Sequence, residues 1–195
     1  MRITRSFIVS IILIVISLYL LFKVRHLAAD VPMNSLLSVL TPGKYIGTGK
    51  YAPTDHYSNG LNTKLFMTVK QTKNGLETNV QINAFDASTG KHEYTGIRNA
   101  TFDYKPNHGM NVFKNSKSFI GGEIVSSSHG KVISCSDNEL VISSAGSWHT
   151  SSYEHDIINT IRKDGNKIYA SFDNTGMIPF LHSHTMDEEY TYVER

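Results

Sequence analysis

The sequence predicts an all-β domain: an antiparallel meander of about ten strands over residues 43–195, closed into a barrel and preceded by one N-terminal transmembrane helix. Three observations carry this. Turn signals ("SNG", "KNG", "DASTG", "KPNHG", "GG", "SSHG", "SDNE", "SAGS", "KDGN" and "DNTG") recur roughly every 10 to 20 residues after Gly43. The segments between them are rich in Val, Ile, Thr, Tyr and Phe and alternate apolar with polar. Ahead of them stands an uncharged run of 17 residues, Ser6 to Phe22.

That run is at the short end of what spans a bilayer as a helix. Arg2 and Arg5 precede it, and Lys23, Arg25 and His26 follow at once. A cleaved signal peptide is the competing reading, but its apolar region is shorter and its cleavage site prefers small residues. Here Leu27 stands where a small residue is expected. Residues 1–29 are therefore read as an uncleaved anchor that exports the domain after it. The flanking charges give only a weak bias for orientation.

Residues 30–42 read as a linker with one short helix. Asn34 is its expected N-cap, Leu36, Leu37 and Leu40 form an apolar face, and Pro42-Gly43 stops it. In "KLFMTVK", Leu65, Met67 and Val69 share a face; in "LETNVQINAF", Leu76, Val80, Ile82 and Ala84 do. "KNG" joins these two segments as a hairpin, and "KDGN" turns "HDIINTIR" back onto "KIYASFD". Closing such a meander removes its two exposed edges. A two-sheet sandwich is the alternative and needs crossing connections, for which few links are long enough.

Four of the 19 basic residues lie in the first 29 positions, which hold no acid. The remainder carries 15 basic against 17 acidic residues, so no basic stripe is left for a polyanion and nucleic acid is not an expected partner. The lone Cys135 excludes an intrachain disulfide and, alternating with Ile133, reads as a packing residue.

The segment "PGKYIGTGKY" (42–51), following the short helix, and the C-terminal hairpin from "TIRKDGN" onward resemble the lipocalin-like (calycin) superfamily. Such barrels open on Gly-x-Trp; here Gly43-Lys44-Tyr45 stands in its place, with Gly47 and Gly49 continuing a Gly-x-Gly pattern, and Trp148 lies far away. The helix that follows the barrel in secreted lipocalins is absent. The resemblance implies a barrel that binds small apolar molecules and names no ligand. Haem-binding barrels of this kind have a histidine near the C-terminal strands, but no motif here matches theirs, so no cofactor is expected.

The expected ligand-lining set is Leu65, Met67, Val69, Val80, Ile82, Met110, Val112 and Phe172, with Phe180, His182 and His184 near the end; Phe113 belongs to the same apolar group. Counted with period two, His182 and His184 share a face with Ile178, Phe180 and Met186. A metal there needs a third ligand, from His155 or Asp156, so the pair is read as structural or cavity-lining and no metal is expected. Asp187-Glu188-Glu189 reads as a solvated turn, and the serine-rich run from Ser126 to Ser152 as polar turns and strand edges. No catalytic residue is expected, because no nucleophile–base pair assembles from the spacing. Two functions follow. One is a membrane-tethered extracytoplasmic (periplasmic, if bacterial) module for a small apolar ligand or lipid. The other is an assembly subunit that docks on an envelope protein with a filled barrel and no ligand.

Overall fold

The structure, a computed structural model, describes residues 11–17, 29–54, 56–148, 155–175 and 182–194, with backbone alone at 148, 175 and 182–184. Ten antiparallel strands close in the order β1-β10-β9-β8-β7-β6-β5-β4-β3-β2. They are β1 (Gly43–Tyr51), β2 (Leu61–Thr72), β3 (Gly75–Asp86), β4 (His92–Tyr104), β5 (Val112–Ile120), β6 (Glu123–Cys135), β7 (Glu139–Trp148), β8 (His155–Asp164), β9 (Lys167–Thr175) and β10 (His182–Glu194). The meander is the expected one, and the sandwich alternative falls away because β1 pairs with both β2 and β10.

Period-two patterning sets the register. Leu61, Thr63, Leu65, Met67 and Val69 are buried along β2, while Asn62, Lys64 and Phe66 between them and Lys70 beyond them are exposed. Across the hairpin Leu65 faces Ile82 and Met67 faces Val80, so the apolar residues of both strands stack inside. The outer wall carries Glu77, Asn79, Gln81 and Asn83, a face suited to water.

The lower end of the barrel is plugged. The short helix Met33–Val39 buries Leu36 and Val39 fully against the core. Side chains from several strands pin its flanks. The Tyr104 hydroxyl donates to the Val31 carbonyl at 2.5 Å and the Tyr45 hydroxyl to the Thr41 carbonyl at 2.6 Å. The Lys163 ammonium donates to the Ser38 carbonyl and Thr41 Oγ1. Pro32 occupies the N-cap position and no side chain caps the helix, so the Asn34 cap is not formed.

Three expected turns are strand instead: the described part of "DNTG", residues 173–175, ends β9, with Gly176 outside the described residues. "SSHG" lies inside β6 and "SAGS" inside β7. The glycines of the last two serve close approach: Gly130 pairs with Ser144 and Gly146 with Ser128. A Cβ on Gly146 would sit 2.7 Å from the Ser128 Cβ. Of the expected membrane anchor, residues 11–17 are helical and exposed, the Ala29 amide donates to the Val132 carbonyl, and the rest lies outside the described residues. No described helix is long and apolar enough to cross a membrane.

Gly49 makes the corresponding allowance on β1. A Cβ there would meet Thr63 Oγ1 at 2.6 Å and Glu188 Cγ at 3.2 Å. Gly49→Val is expected to destabilise the domain by about 1–3 kcal/mol, as overpacking does, measured by urea denaturation. Gly90, where an added Cβ meets nothing, sits in a turn with φ +70 and serves as a strain-only control.

Candidate functional site

The lumen is divided across its middle by a buried ion pair. Arg98 on β4 donates from Nη2 to Glu188 Oε2 on β10 at 2.5 Å, and the Glu188 side chain is 0% exposed. Tyr190 donates to the same oxygen at 2.7 Å, and Tyr51 of β1 donates to Oε1 at 2.9 Å. Arg98 also donates to the Tyr190 oxygen at 3.2 Å and reaches Met186 Sδ at 3.6 Å. Both carboxylate oxygens are thus occupied, as burial of the charge requires.

Burial works most strongly against the Arg98 charge, but Glu188, Tyr190 and Tyr51 together more than offset it and keep the guanidinium protonated well above its ordinary range. Burial and then the Glu188 charge hold the Tyr51 hydroxyl well up, and the same two causes act on Tyr190.

Lys114 on β5 projects into the same space. It is 8% exposed, and its ammonium has no hydrogen-bond or carboxylate partner among the described residues. The Phe172 ring lies within reach of both cations, with its centroid 5.2 Å from Arg98 Cζ and 5.9 Å from Lys114 Nζ. Burial, and then the positive charge of Arg98, pull the Lys114 ammonium down to about 7, with Glu188 opposing. Asn159 on β8 is also buried. Its Nδ2 donates to Ser144 Oγ at 2.9 Å, while its Oδ1 has no partner.

Two cavities meet at this layer. The upper, about 100 Å³, runs from Arg98 and Lys114 to Ile120 at the upper end of β5. The lower, about 50 Å³, lies between the layer and the plug at Leu40. Lys114, Asn159 and Phe172 line both. The upper space exists because the wall is uneven. Tyr51, Ile82 and Tyr94 fill one side, whereas Ser116, Ser118, Ser128 and Gly146 on β5 to β7 contribute almost no bulk. A wider depression of about 530 Å³ lies over β1 and β8 to β10, but its polar groups include Glu189, paired with Lys167, and the already engaged Asp173 and Asp187.

The structure sorts the expected residues. Leu65, Val69 and Val112 are packed core, Met67 and Val80 border the lower cavity, Ile82 the upper, and Phe172 both. Met110 does not line the lumen. It lies in the turn before β5, 45% exposed, where its carbonyl accepts from the Val31 amide. Phe113 follows Val112 onto the opposite face, packing with His108 and Lys105. Cys135 packs against the core as expected.

Phe180 lies outside the described residues, as do the side chains of His182 and His184, whose backbones pair with Thr175 and Asp173. The register shifts between His184 and Met186, so counting back from Met186 does not carry to the histidines. His155 and Asp156 open β8 and are each engaged by neighbours. Among the described residues no group of three potential ligands is placed to hold a metal.

The expected solvated turn at 187–189 is strand, with Asp187 exposed and Glu188 buried. Arg98, Lys114 and Glu188 were missed because charged residues were read as outward. Phase was the available signal: Arg98 stands in step with Ala100 and Phe102, Lys114 with Val112, and Glu188 with Tyr190.

Removing one member of the buried pair strands the other. Arg98→Met and Glu188→Met are each expected to cost about 3–5 kcal/mol, and the double variant less than their sum, read by denaturant unfolding. A second expectation concerns pH. Unfolded Lys114 binds its proton below the ordinary value of 10.5 and folded Lys114 only below about 7. Between those values the unfolded state holds more protons, so stability rises with pH, by up to about 1.4 kcal/mol per unit. Above about pH 10 the buried tyrosines reverse this, since Tyr45 and Tyr94 are raised to about 12. Lys114→Met should abolish the rise between about pH 7.5 and 9.5, measured by chemical denaturation at several pH values.

No family model matches the chain, and no curated protein matches it. Among solved structures it is similar to the crystal structure of Rv2717c from M. tuberculosis. The TM-score is 0.51 at 11% identity, covering 82% of this chain and 98% of that one. At that identity the likeness concerns the fold, and with the closed ten-strand antiparallel topology it fits a lipocalin-like barrel.

Proposed function

We propose that the chain is a membrane-tethered binding module, with an extracytoplasmic barrel that holds one compact ligand in its upper lumen. The observation that carries this is the uneven wall. A barrel built only to be solid has no reason to set serines and glycine opposite Tyr51, Tyr94 and Ile82 around a cavity. The volume, about 100 Å³, lies below the roughly 300–1,000 Å³ of pockets for drug-sized ligands. It favours a small molecule with an apolar body over a long-chain lipid. The tether rests on the 17-residue uncharged run and the charges that follow it.

A second reading, an assembly subunit docked on an envelope protein, is favoured by one patch. Ile46 and Phe66 are cross-strand neighbours on the outer wall, 55% and 38% exposed. Purifying the full chain from its native membrane and identifying what accompanies it by mass spectrometry separates the two. A stoichiometric small molecule supports the module; a stoichiometric protein with no small molecule supports docking.

Topology makes a further expectation. A reporter that works only outside the cytoplasm, fused after Arg195, should be active, and the mature chain should retain its N-terminal segment. Activity from a cytoplasmic reporter alone would contradict export. A mature N-terminus near Asp30 would contradict the tether.

A further inference from the structure

The lumen is polar in an unbalanced way. Its buried carboxylate, Glu188, accepts from Arg98, Tyr190 and Tyr51, and no hydrogen bond joins it to Lys114. Lys114 is therefore a second buried cation without an anion of its own among the described residues, and an isolated buried charge is costly. Facing the same two cavities, Asn159 Oδ1 is a buried acceptor without a donor. A donor lacking an acceptor and an acceptor lacking a donor thus border one space, with the Phe172 ring and Tyr94 beside them. Water can satisfy either atom, but it supplies neither a negative charge nor a body to cover the aromatic wall.

We propose that the upper lumen binds a small organic carboxylate that also carries a hydrogen-bond donor. The carboxylate is held by Lys114 with Arg98 flanking, the donor meets Asn159, and the apolar body lies against Phe172 and Tyr94. The inference rests on the lumenal-binding reading above and adds the chemical class of the ligand. It also explains why a lysine rather than a methionine stands on β5: the charge is a liability in the empty barrel and an asset once an anion enters.

The groups that face Lys114 from other strands set its pH behaviour. Arg98 of β4 opposes its charge, Glu188 of β10 favours it, and Tyr51 and Tyr190 stay neutral through the working range. Since the unliganded ammonium titrates at about 7, an anion binds the protonated barrel. Above about pH 7 affinity should fall by up to tenfold per pH unit, with one proton taken up on binding.

The test uses the full chain in neutral-detergent micelles and isothermal titration calorimetry at pH 6.5 and 8.5. The probes are 4-hydroxybenzoate, its uncharged counterpart 4-hydroxybenzamide, and inorganic phosphate. The expected result is saturable binding of 4-hydroxybenzoate, about ten- to a hundredfold weaker for the amide and in Lys114→Met. Affinity should fall by up to about twentyfold from pH 6.5 to 8.5 in the wild type but not in the variant. Lys114→Met removes an unpaired buried charge and should fold, and the amide comparison on the wild type stands without it. Equal binding of amide and acid would overturn the carboxylate assignment while leaving lumenal binding intact. Phosphate competing as well as 4-hydroxybenzoate would overturn its organic part. Binding of none of the probes would overturn the assignment, whereas the tethered-module reading is decided separately by what the native protein carries.

Discussion

A carboxylate with no exposure at all can persist inside a barrel only if every oxygen is matched, and the arrangement around Glu188 follows from that requirement. Its partner Arg98 comes from β4, separated from β10 by β1, β2 and β3 in the closed sheet. The pair therefore ties opposite parts of the wall through the middle of the lumen. Tyr51 and Tyr190 complete the set, and Gly49 gives up its side chain where the Glu188 stem passes. These donors hold Glu188, and Lys114 has no hydrogen bond to it. The strut thus holds the barrel's centre and leaves one positive charge uncommitted.

The shape of the space around that charge comes from the distribution of bulk. Around the upper cavity Tyr51, Ile82 and Tyr94 fill one side and Ser116, Ser118, Ser128 and Gly146 leave room on the other, while lower down Val112, Val132, Leu140 and Ile142 on β5 to β7 pack the core. The helix Met33–Val39, held by Tyr45, Tyr104 and Lys163, closes the lower end, so the larger cavity lies toward the other end. Floor, strut and uneven wall together define one compartment with polar groups on a mainly apolar surface, the general form of a small-molecule site.

Much of the fold was legible because alternation survives where one face is core and the other water. "KLFMTVK" and "LETNVQINAF" announced their inward residues without error, and "KNG" and "KDGN" were turns as read. Legibility failed where the pattern has another cause. Gly130 and Gly146 looked like turn residues but are there for close strand approach. The register shift before Met186 broke the count that had aligned it with the histidines. The site itself was hidden for a different reason. Arg98, Lys114 and Glu188 are charged, and polarity normally marks the outer face; only their phase with Ala100, Val112 and Tyr190 marks them as inward.

The uncommitted charge can be observed directly. In the full chain carrying isotope-labelled lysine, the resonance of Lys114 next to its ammonium, assigned with Lys114→Met, reports that group's own titration. The account predicts a midpoint near 7, well below the lysine norm of 10.5, moving upward when 4-hydroxybenzoate is added. A midpoint at the ordinary lysine value, unmoved by the carboxylate, would mean that Lys114 is solvated or already paired, and would contradict it.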